Sequence, residues 1–251
     1  MLAQQRQDRI LDLVRTTGGA RVSELVGELG VSDMTVRRDI EVLAERGLVA
    51  RVHGGATAVG SSVAEPGFAA KAELHTEAKQ AIARVAAELV PEGSAVALSA
   101  GTTTRAVAQA LTTTPGLTVV TNSVRVAEVF WSGTTTVVLT GGERTPSDAL
   151  VGPVAQDALE RLRVDILLIG THGMSTEAGL TTPNLAEART NRALVSGARR
   201  VVVVADCSKW GVVGLSRFAG LDEVDTVVTD AGLPAAGRTA LQQAGVRVVT
   251  A

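Results

Sequence analysis

The stretch Val31–Ala56, VSDMTVRRDIEVLAERGLVARVHGGA, decides how the N-terminal part of this chain folds. Ser32 offers a side-chain oxygen to the unpaired amides of a helix start, and Asp33 places a negative charge in the first turn, where the helix dipole favours it. Gly47 supplies the stop. At about 100° per residue, Val36, Ile40 and Leu43 fall on one side and form the expected buried stripe. Met34, Arg38, Glu41 and Glu45 lie opposite. This separates the two adjacent arginines. Arg38 projects away from the buried stripe, so with the helix in a major groove it meets base edges and suits a bidentate contact to guanine O6 and N7. Arg37 and Thr35 sit on the flanks, toward the phosphate walls of the groove. The competing reading is a solvated helix in which Arg37 pairs with Asp33 or Glu41 at i,i+4 spacing.

The preceding residues favour the first reading. Gln4–Thr17 carries Ile10, Leu11, Leu13 and Val14 in helical spacing, Gly18-Gly19 breaks the chain, and Val22–Leu29 forms a second helix closed by Gly30. Helices in this order, with a tight glycine turn before the last, make a helix-turn-helix unit. Leu48–Ala56 reads as a strand with a Gly-Gly turn, a wing that sets Arg51 and His53 against the DNA backbone or minor groove. The candidate DNA-contacting residues are Ser32, Met34, Thr35, Arg37, Arg38, Arg51 and His53.

Net charge would not have found this unit. The chain has 24 Lys and Arg against 26 Asp and Glu, a formal net charge of −2. What matters is placement, and the arginines of the third helix and wing are expected to form one local basic patch. With 251 residues, 45% of them hydrophobic, there is room for a small head and one sizeable α/β domain. The single cysteine, Cys207, excludes an internal disulfide and suits a reducing compartment. It has no sequence-visible base beside it and reads as inert. Aromatic residues at 2% leave the core to Val, Leu, Ile and Ala, and argue against a site that stacks bases on rings. No apolar run approaches bilayer-spanning length and the N-terminus is too polar for a signal peptide, so a soluble cytoplasmic protein is expected.

The expected organisation is a winged helix-turn-helix head over residues 1–56, a Gly-, Ser- and Pro-rich linker over 57–70, and a larger α/β domain over 71–251. In the last, β-branched runs at Ala95–Leu98, Leu117–Thr121, Thr135–Thr140, Val164–Ile169, Arg200–Ala205, Thr226–Thr229 and Val246–Thr250 alternate with helical segments such as Lys79–Val90, Thr104–Leu111 and Leu185–Ser196. Near-continuous apolar strands alternating with helices predict an α/β fold, a mostly parallel sheet covered on both faces. Ligands bind such sheets at the carboxyl ends of the strands. The residues following each run are polar there: Ser99 to Thr104, Asn122-Ser123, Gly141 to Arg144, Gly170 to Gly173, Asp206 to Lys209 and Asp230. A strand, then Gly101-Thr102-Thr103-Thr104, then a helix offers amides, hydroxyls and a dipole end to an anion such as phosphate, although Gly and Thr also simply make turns and caps. No cluster has metal-ligand spacing, and GGERT at Gly141 is not a P-loop; no metal and no cofactor are expected.

Arg6–Ala56 resembles the DNA-binding head of the DeoR family of bacterial transcription regulators. The matching residues are Val31, Ser32, Thr35, Val36, Arg37, Arg38, Asp39, Ile40, Leu43, Gly47, Val49, Arg51, His53, Gly54, Gly55 and Ala56. The remainder resembles the family's sensor domain at Gly101-Thr102-Thr103, Thr121-Asn122-Ser123, Gly141-Gly142, Val151-Gly152, Gly179-Leu180-Thr181-Thr182 with Glu187, and Asp206-Cys207-Ser208-Lys209. The resemblance implies a fold similar to ribose-5-phosphate isomerase and a phosphorylated sugar as effector. It implies Gly101, Thr102, Thr103, Asn122, Glu187 and Lys209 as effector-binding residues, with Lys209 as a point charge or, alternatively, a lysine at a strand-to-helix junction. Two departures bear on chemistry. Ser99 stands where many relatives have aspartate, and the loop Gly170-Thr171-His172-Gly173 lacks the acidic pair of the isomerases. Aldose–ketose isomerisation needs a placed carboxylate, which leaves Glu187 as a lone candidate base or an acceptor for a sugar hydroxyl. The reading is a ligand-responsive repressor of carbohydrate metabolism, without catalytic residues. It binds double-stranded operator DNA as a homo-oligomer, because one head reads too few base pairs. The alternatives are an isomerase with an appended head and a DNA-binding module with a purely structural second domain.

Overall fold

The computed structural model describes residues 2–17, 19–52, 54–58 and 67–251, and the chain divides into two compact units, Met1–Leu74 and His75–Ala251. In the first, the elements are α1 (Ala3–Thr17), β1 (Gly19–Arg21), α2 (Val22–Leu29), α3 (Asp33–Glu45), β2 (Val49–Val52), β3 (Gly55–Ala58) and α4 (Phe68–Ala72). Ile10, Leu11 and Val14 of α1 close a core with Val22, Leu25 and Leu29 of α2 and with Val36, Ile40 and Leu43 of α3. The Ser32 side chain accepts from the Thr35 amide, so α3 starts where a cap was expected. Gly30 ends α2 in a left-handed conformation, φ 63°, with its amide bonded to the Val26 carbonyl. A residue with a Cβ would be strained in that tight turn.

The wing differs from its sequence reading. Instead of a strand and a turn, the structure builds an antiparallel sheet in the order β1-β3-β2. β1 follows α1 directly and pairs so closely with β3 that a Cβ on Gly55 would sit 2.3 Å from the Ala20 carbonyl oxygen. The glycine is needed for strand packing. Thr57 and Ala58, read as linker, close β3, and Leu74 joins the head core. His53 and residues 59–66 of the expected linker lie outside the described residues.

The second unit runs α5 (Thr76–Ala87), β4 (Ala95–Leu98), α6 (Thr102–Ala110), β5 (Thr118–Thr121), α7 (Val124–Ala127), β6 (Thr136–Leu139), β7 (Glu143–Arg144), β8 (Leu150–Val151), α8 (Pro153–Glu160), β9 (Ile166–Ile169), β10 (Gly173–Ser175), β11 (Gly179–Thr182), α9 (Leu185–Gly197), β12 (Val201–Val204), β13 (Ser216–Ala219), β14 (Thr226–Thr229), α10 (Ala235–Gln243) and β15 (Arg247–Thr250). Its seven-stranded sheet has the order β15-β14-β12-β9-β4-β5-β6, with every neighbouring pair parallel. Successive residues face opposite sides, as strand geometry requires. Val96, Leu98, Ile166 and Leu168 pack with Ile82 of α5, Val107 of α6 and Leu111 just after it. Ala97, Leu167, Ile169 and Val203 pack on the other face with Leu159 of α8 and Leu194 of α9. Both faces are therefore covered, which is why the strands read as unbroken apolar runs.

The chain enters this sheet at β4, builds outward through β5 and β6, and returns to β9 on the other flank of β4. Open α/β sheets hold ligands where the strand order reverses in this way, which here is at the carboxyl ends of β4 and β9. Two features were not read from sequence: a small antiparallel sheet in the order β10-β11-β13 and the β7–β8 hairpin. Among the described residues, no helix is long and apolar enough to cross a membrane.

Candidate functional site

The head presents its candidate surface along α3. Val36, Asp39, Ile40 and Leu43 are buried, whereas Met34, Arg37, Arg38, Glu41 and Glu45 are exposed. Arg38 has no ion pair or hydrogen bond among the described residues, so its fork of donors faces solvent. The Ser32 and Thr35 hydroxyls bond each other at 2.8 Å, and Arg37 pairs with Asp33 at 2.5 Å. Arg51 of β2 reaches back to Glu41 at 3.1 Å. The single basic patch expected from sequence is therefore broken up: two of its arginines already hold a carboxylate of α3.

Asp39, whose motif position suggested no role, is only 4% exposed. Its carboxylate accepts from Arg6 Nε at 2.5 Å, Arg6 Nη2 at 3.2 Å and Gln7 Nε2 at 3.1 Å. This ion pair ties α3 to α1 and sets the roll of the exposed face.

In the sensor unit the polar residues gather where the topology reverses. Ser99 follows β4 and is buried; its Oγ donates to the Ala100 carbonyl and accepts from the Gly170 amide at 3.2 Å, clipping the loop after β4 to the loop after β9. Gly101, Thr102 and Thr103 open α6, whose N-terminus has no side-chain cap. Asn122 is a strut: its Oδ1 accepts from the Ala100 amide and its Nδ2 donates to the Leu150 carbonyl. Glu187, in the first turn of α9, is buried and accepts from Thr145 at 2.6 Å, from Ser147, and from Thr182 at 3.4 Å. Asp148, in the same β7–β8 loop, is buried but paired with Arg125 and Arg144. Burial opposes its charge, and the bonds from Arg144 and Arg125 outweigh this and hold its pKa below the usual value. The hydroxyls of Thr145 and Ser147 escaped the sequence reading. Their signal was the hydroxyl- and acid-bearing run TPSD directly after the third polar loop.

Five of the six expected effector residues, Gly101 to Thr103, Asn122 and Glu187, thus belong to elements joined through Ala100, Leu150 and Thr145. Lys209 stands apart on a 3-10 turn after β12, where its charge faces Asp206. Asp206 is 2% exposed, and burial opposes its ionisation. Lys209, His75, a hydrogen bond from Ser208, and Lys79 together hold its pKa at about 2. A depressed carboxylate stabilises the fold fully above its unfolded pKa, about 3.9, and loses that contribution as pH falls through the folded value. Asp206→Asn should therefore weaken the sensor unit at neutral pH, and its deficit against the parent should close between about pH 4 and 2. Urea melts across that range measure this; a constant deficit would mean that the charge contributes nothing.

No group of His, Cys, Asp and Glu suited to a metal ion occurs among the described residues. The comparisons agree with this two-part construction. Residues 6–62 match the model of the DeoR-like helix-turn-helix domain and residues 74–231 that of the DeoR C terminal sensor domain. The HTH-type transcriptional regulator GlpR of Haloferax volcanii is 42% identical over 99% of this chain and 98% of its own length. The glycerol-3-phosphate regulon repressor of Escherichia coli K12 is 37% identical over 92% of both chains. Among solved structures, ribose 5 phosphate isomerase A from Neisseria gonorrhoeae shares 19% identity over 55% of this chain and 54% of that one, with a TM-score of 0.41. Matches of this extent over both the capped α3 head and the polar-rimmed sheet leave one assignment: the chain belongs to the DeoR family of DNA-binding transcription regulators.

Proposed function

We propose that the protein is a cytoplasmic repressor of a carbohydrate operon: a homo-oligomer whose heads grip a symmetric operator, and whose affinity for it changes when a phosphorylated sugar or polyol binds the sensor rim. In the head, Arg38 reads a base while Ser32, Thr35, Arg37, Arg51 and, from sequence, His53 hold phosphates. The observation that carries the effector reading is the start of α6, which has no side-chain cap and follows β4 where the strand order reverses, so that its first-turn amides suit an anion. The name of the glycerol-3-phosphate regulon repressor among the relatives supports the same ligand class. Gly101, Thr102 and Thr103 cradle the phosphate, Asn122 shapes their loop, and Glu187 takes a ligand hydroxyl in exchange for one of its own donors. Lys209 lies two strands from β4, roughly 10 Å at ordinary strand spacing, a span that a bound sugar phosphate bridges.

The same rim argues for binding without turnover. Ser99 puts a neutral hydroxyl at the rim, and the Glu187 carboxylate is shared by three hydroxyls, so neither residue is poised to move a proton. A thermal-shift screen of phosphorylated sugars and polyols, glycerol 3-phosphate included, tests the reading. A ligand at 100 times its Kd adds about 2.7 kcal/mol of stability. Lys209→Ala is expected to abolish the effect of that ligand on operator binding and to leave ligand-free binding intact. A response at unchanged ligand concentration would remove Lys209 from the site, and NMR detection of conversion above a Glu187→Ala control would turn the assignment toward an enzyme.

A further inference from the structure

Met34 is 76% exposed, more than any other large hydrophobic residue described, and it takes no part in the head core. A lone exposed apolar residue is ordinary on a protein surface. Its position is not ordinary: it occupies the first turn of α3 on the outward stripe that continues through Arg38, Glu41 and Glu45, all charged. The N-terminal residues of a recognition helix are those that meet base edges. In the major groove, the one apolar feature a base pair presents is the 5-methyl group of thymine. A methionine, unbranched and polarizable, adapts its contact to such a group.

We propose that Met34 is a specificity-determining residue that reads the 5-methyl group of a thymine beside the guanine taken by Arg38. The two side chains are four residues apart, about 40° in angle and about 6 Å along the helix axis, or about two base-pair steps. Arg38 supplies a polar test for guanine and Met34 an apolar test for thymine, so the pair distinguishes a short sequence that neither reads alone. The inference rests on the docking of α3 proposed above. It also gives a reason for a large apolar side chain where the helix otherwise carries charge: in the complex it is covered by the methyl group and neighbouring base edges.

The test uses the full-length protein and a duplex selected by it from a random pool. Each thymine of that duplex is replaced singly by deoxyuridine, which removes the methyl group and leaves the hydrogen-bonding pattern intact. One thymine per half-site, within three base pairs of the Arg38-dependent guanine, should weaken binding about fourfold on losing its methyl, the equivalent of about 0.8 kcal/mol for one buried carbon group. Met34→Ala should bind thymine and deoxyuridine duplexes equally while keeping the guanine preference, and Met34→Leu should restore part of the ratio. A Met34→Ala protein that still discriminates, or a duplex with no sensitive thymine, overturns the inference while the docking stands. If Arg38→Ala also leaves every base preference unchanged, the docking of α3 falls with it.

Discussion

Replacing Arg6 with alanine is expected to lower the stability of the head by about 3–5 kcal/mol, the usual effect of removing one partner from a buried ion pair. Arg6 and Asp39 side chains are 13% and 6% exposed, so solvent cannot take over the carboxylate once the guanidinium is gone. Gln7 alone would remain beside it, with one amide bond at 3.1 Å. Small domains have about 5–15 kcal/mol in total, so the loss is a large share of what keeps α3 folded. Operator binding should fail for the same reason. Hydrogen exchange of the α3 amides in the full chain measures the change without a separately folded head. Replacing both residues together, Arg6→Leu with Asp39→Leu, should recover most of the stability, because an apolar pair leaves no stranded charge. A single variant within 1 kcal/mol of the parent would show that the pair is not a structural tie.

Arg38→Ala is expected to cost about 1–3 kcal/mol on the selected operator, roughly 5- to 150-fold in affinity, and to erase preference at one base position. The basis is the exposed, unengaged guanidinium on the face opposite Val36, Ile40 and Leu43. Arg37→Ala should instead weaken cognate and random DNA alike, because its flank position and existing bond to Asp33 suit an exchange with phosphate rather than a base edge. Binding to a cognate duplex and to scrambled duplexes separates the two. Equal loss of base preference in both variants would contradict the angular assignment.

Most of the architecture was written in periodicity. The strands from β4 to β15 of the parallel sheet follow the apolar runs to within two residues at each end; in the central strands β4, β5, β9, β12 and β14 burial on both faces selects this composition, while the edge strands β6 and β15 are only partly covered. The capped α3 and its buried stripe were equally visible. Strands such as β1, β7 and β8, two or three residues long, leave no such trace, since pairing partners distant in sequence rather than their own residues make them strands. The site divided the same way. Positions along α3 followed from helical angles, whereas the engagement of Arg51 by Glu41 and of Asp39 by Arg6 depends on how separate elements meet. Glu187 was legible as a candidate, but not the hydroxyls of Thr145 and Ser147 that occupy it, about forty residues earlier in the chain.

The carboxylates of Asp33 and Glu41 change the ionic accounting of the head. A free arginine that binds a DNA phosphate displaces a condensed cation, and the logarithm of affinity falls with that of salt by about 0.9 for each such contact. Arg37 and Arg51 begin in the company of their own anions, at 2.5 and 3.1 Å. Each that moves to a phosphate leaves behind a bare carboxylate, which recruits a cation from solution and cancels part of the release. A salt titration of operator binding will then count fewer cationic contacts than alanine substitution finds.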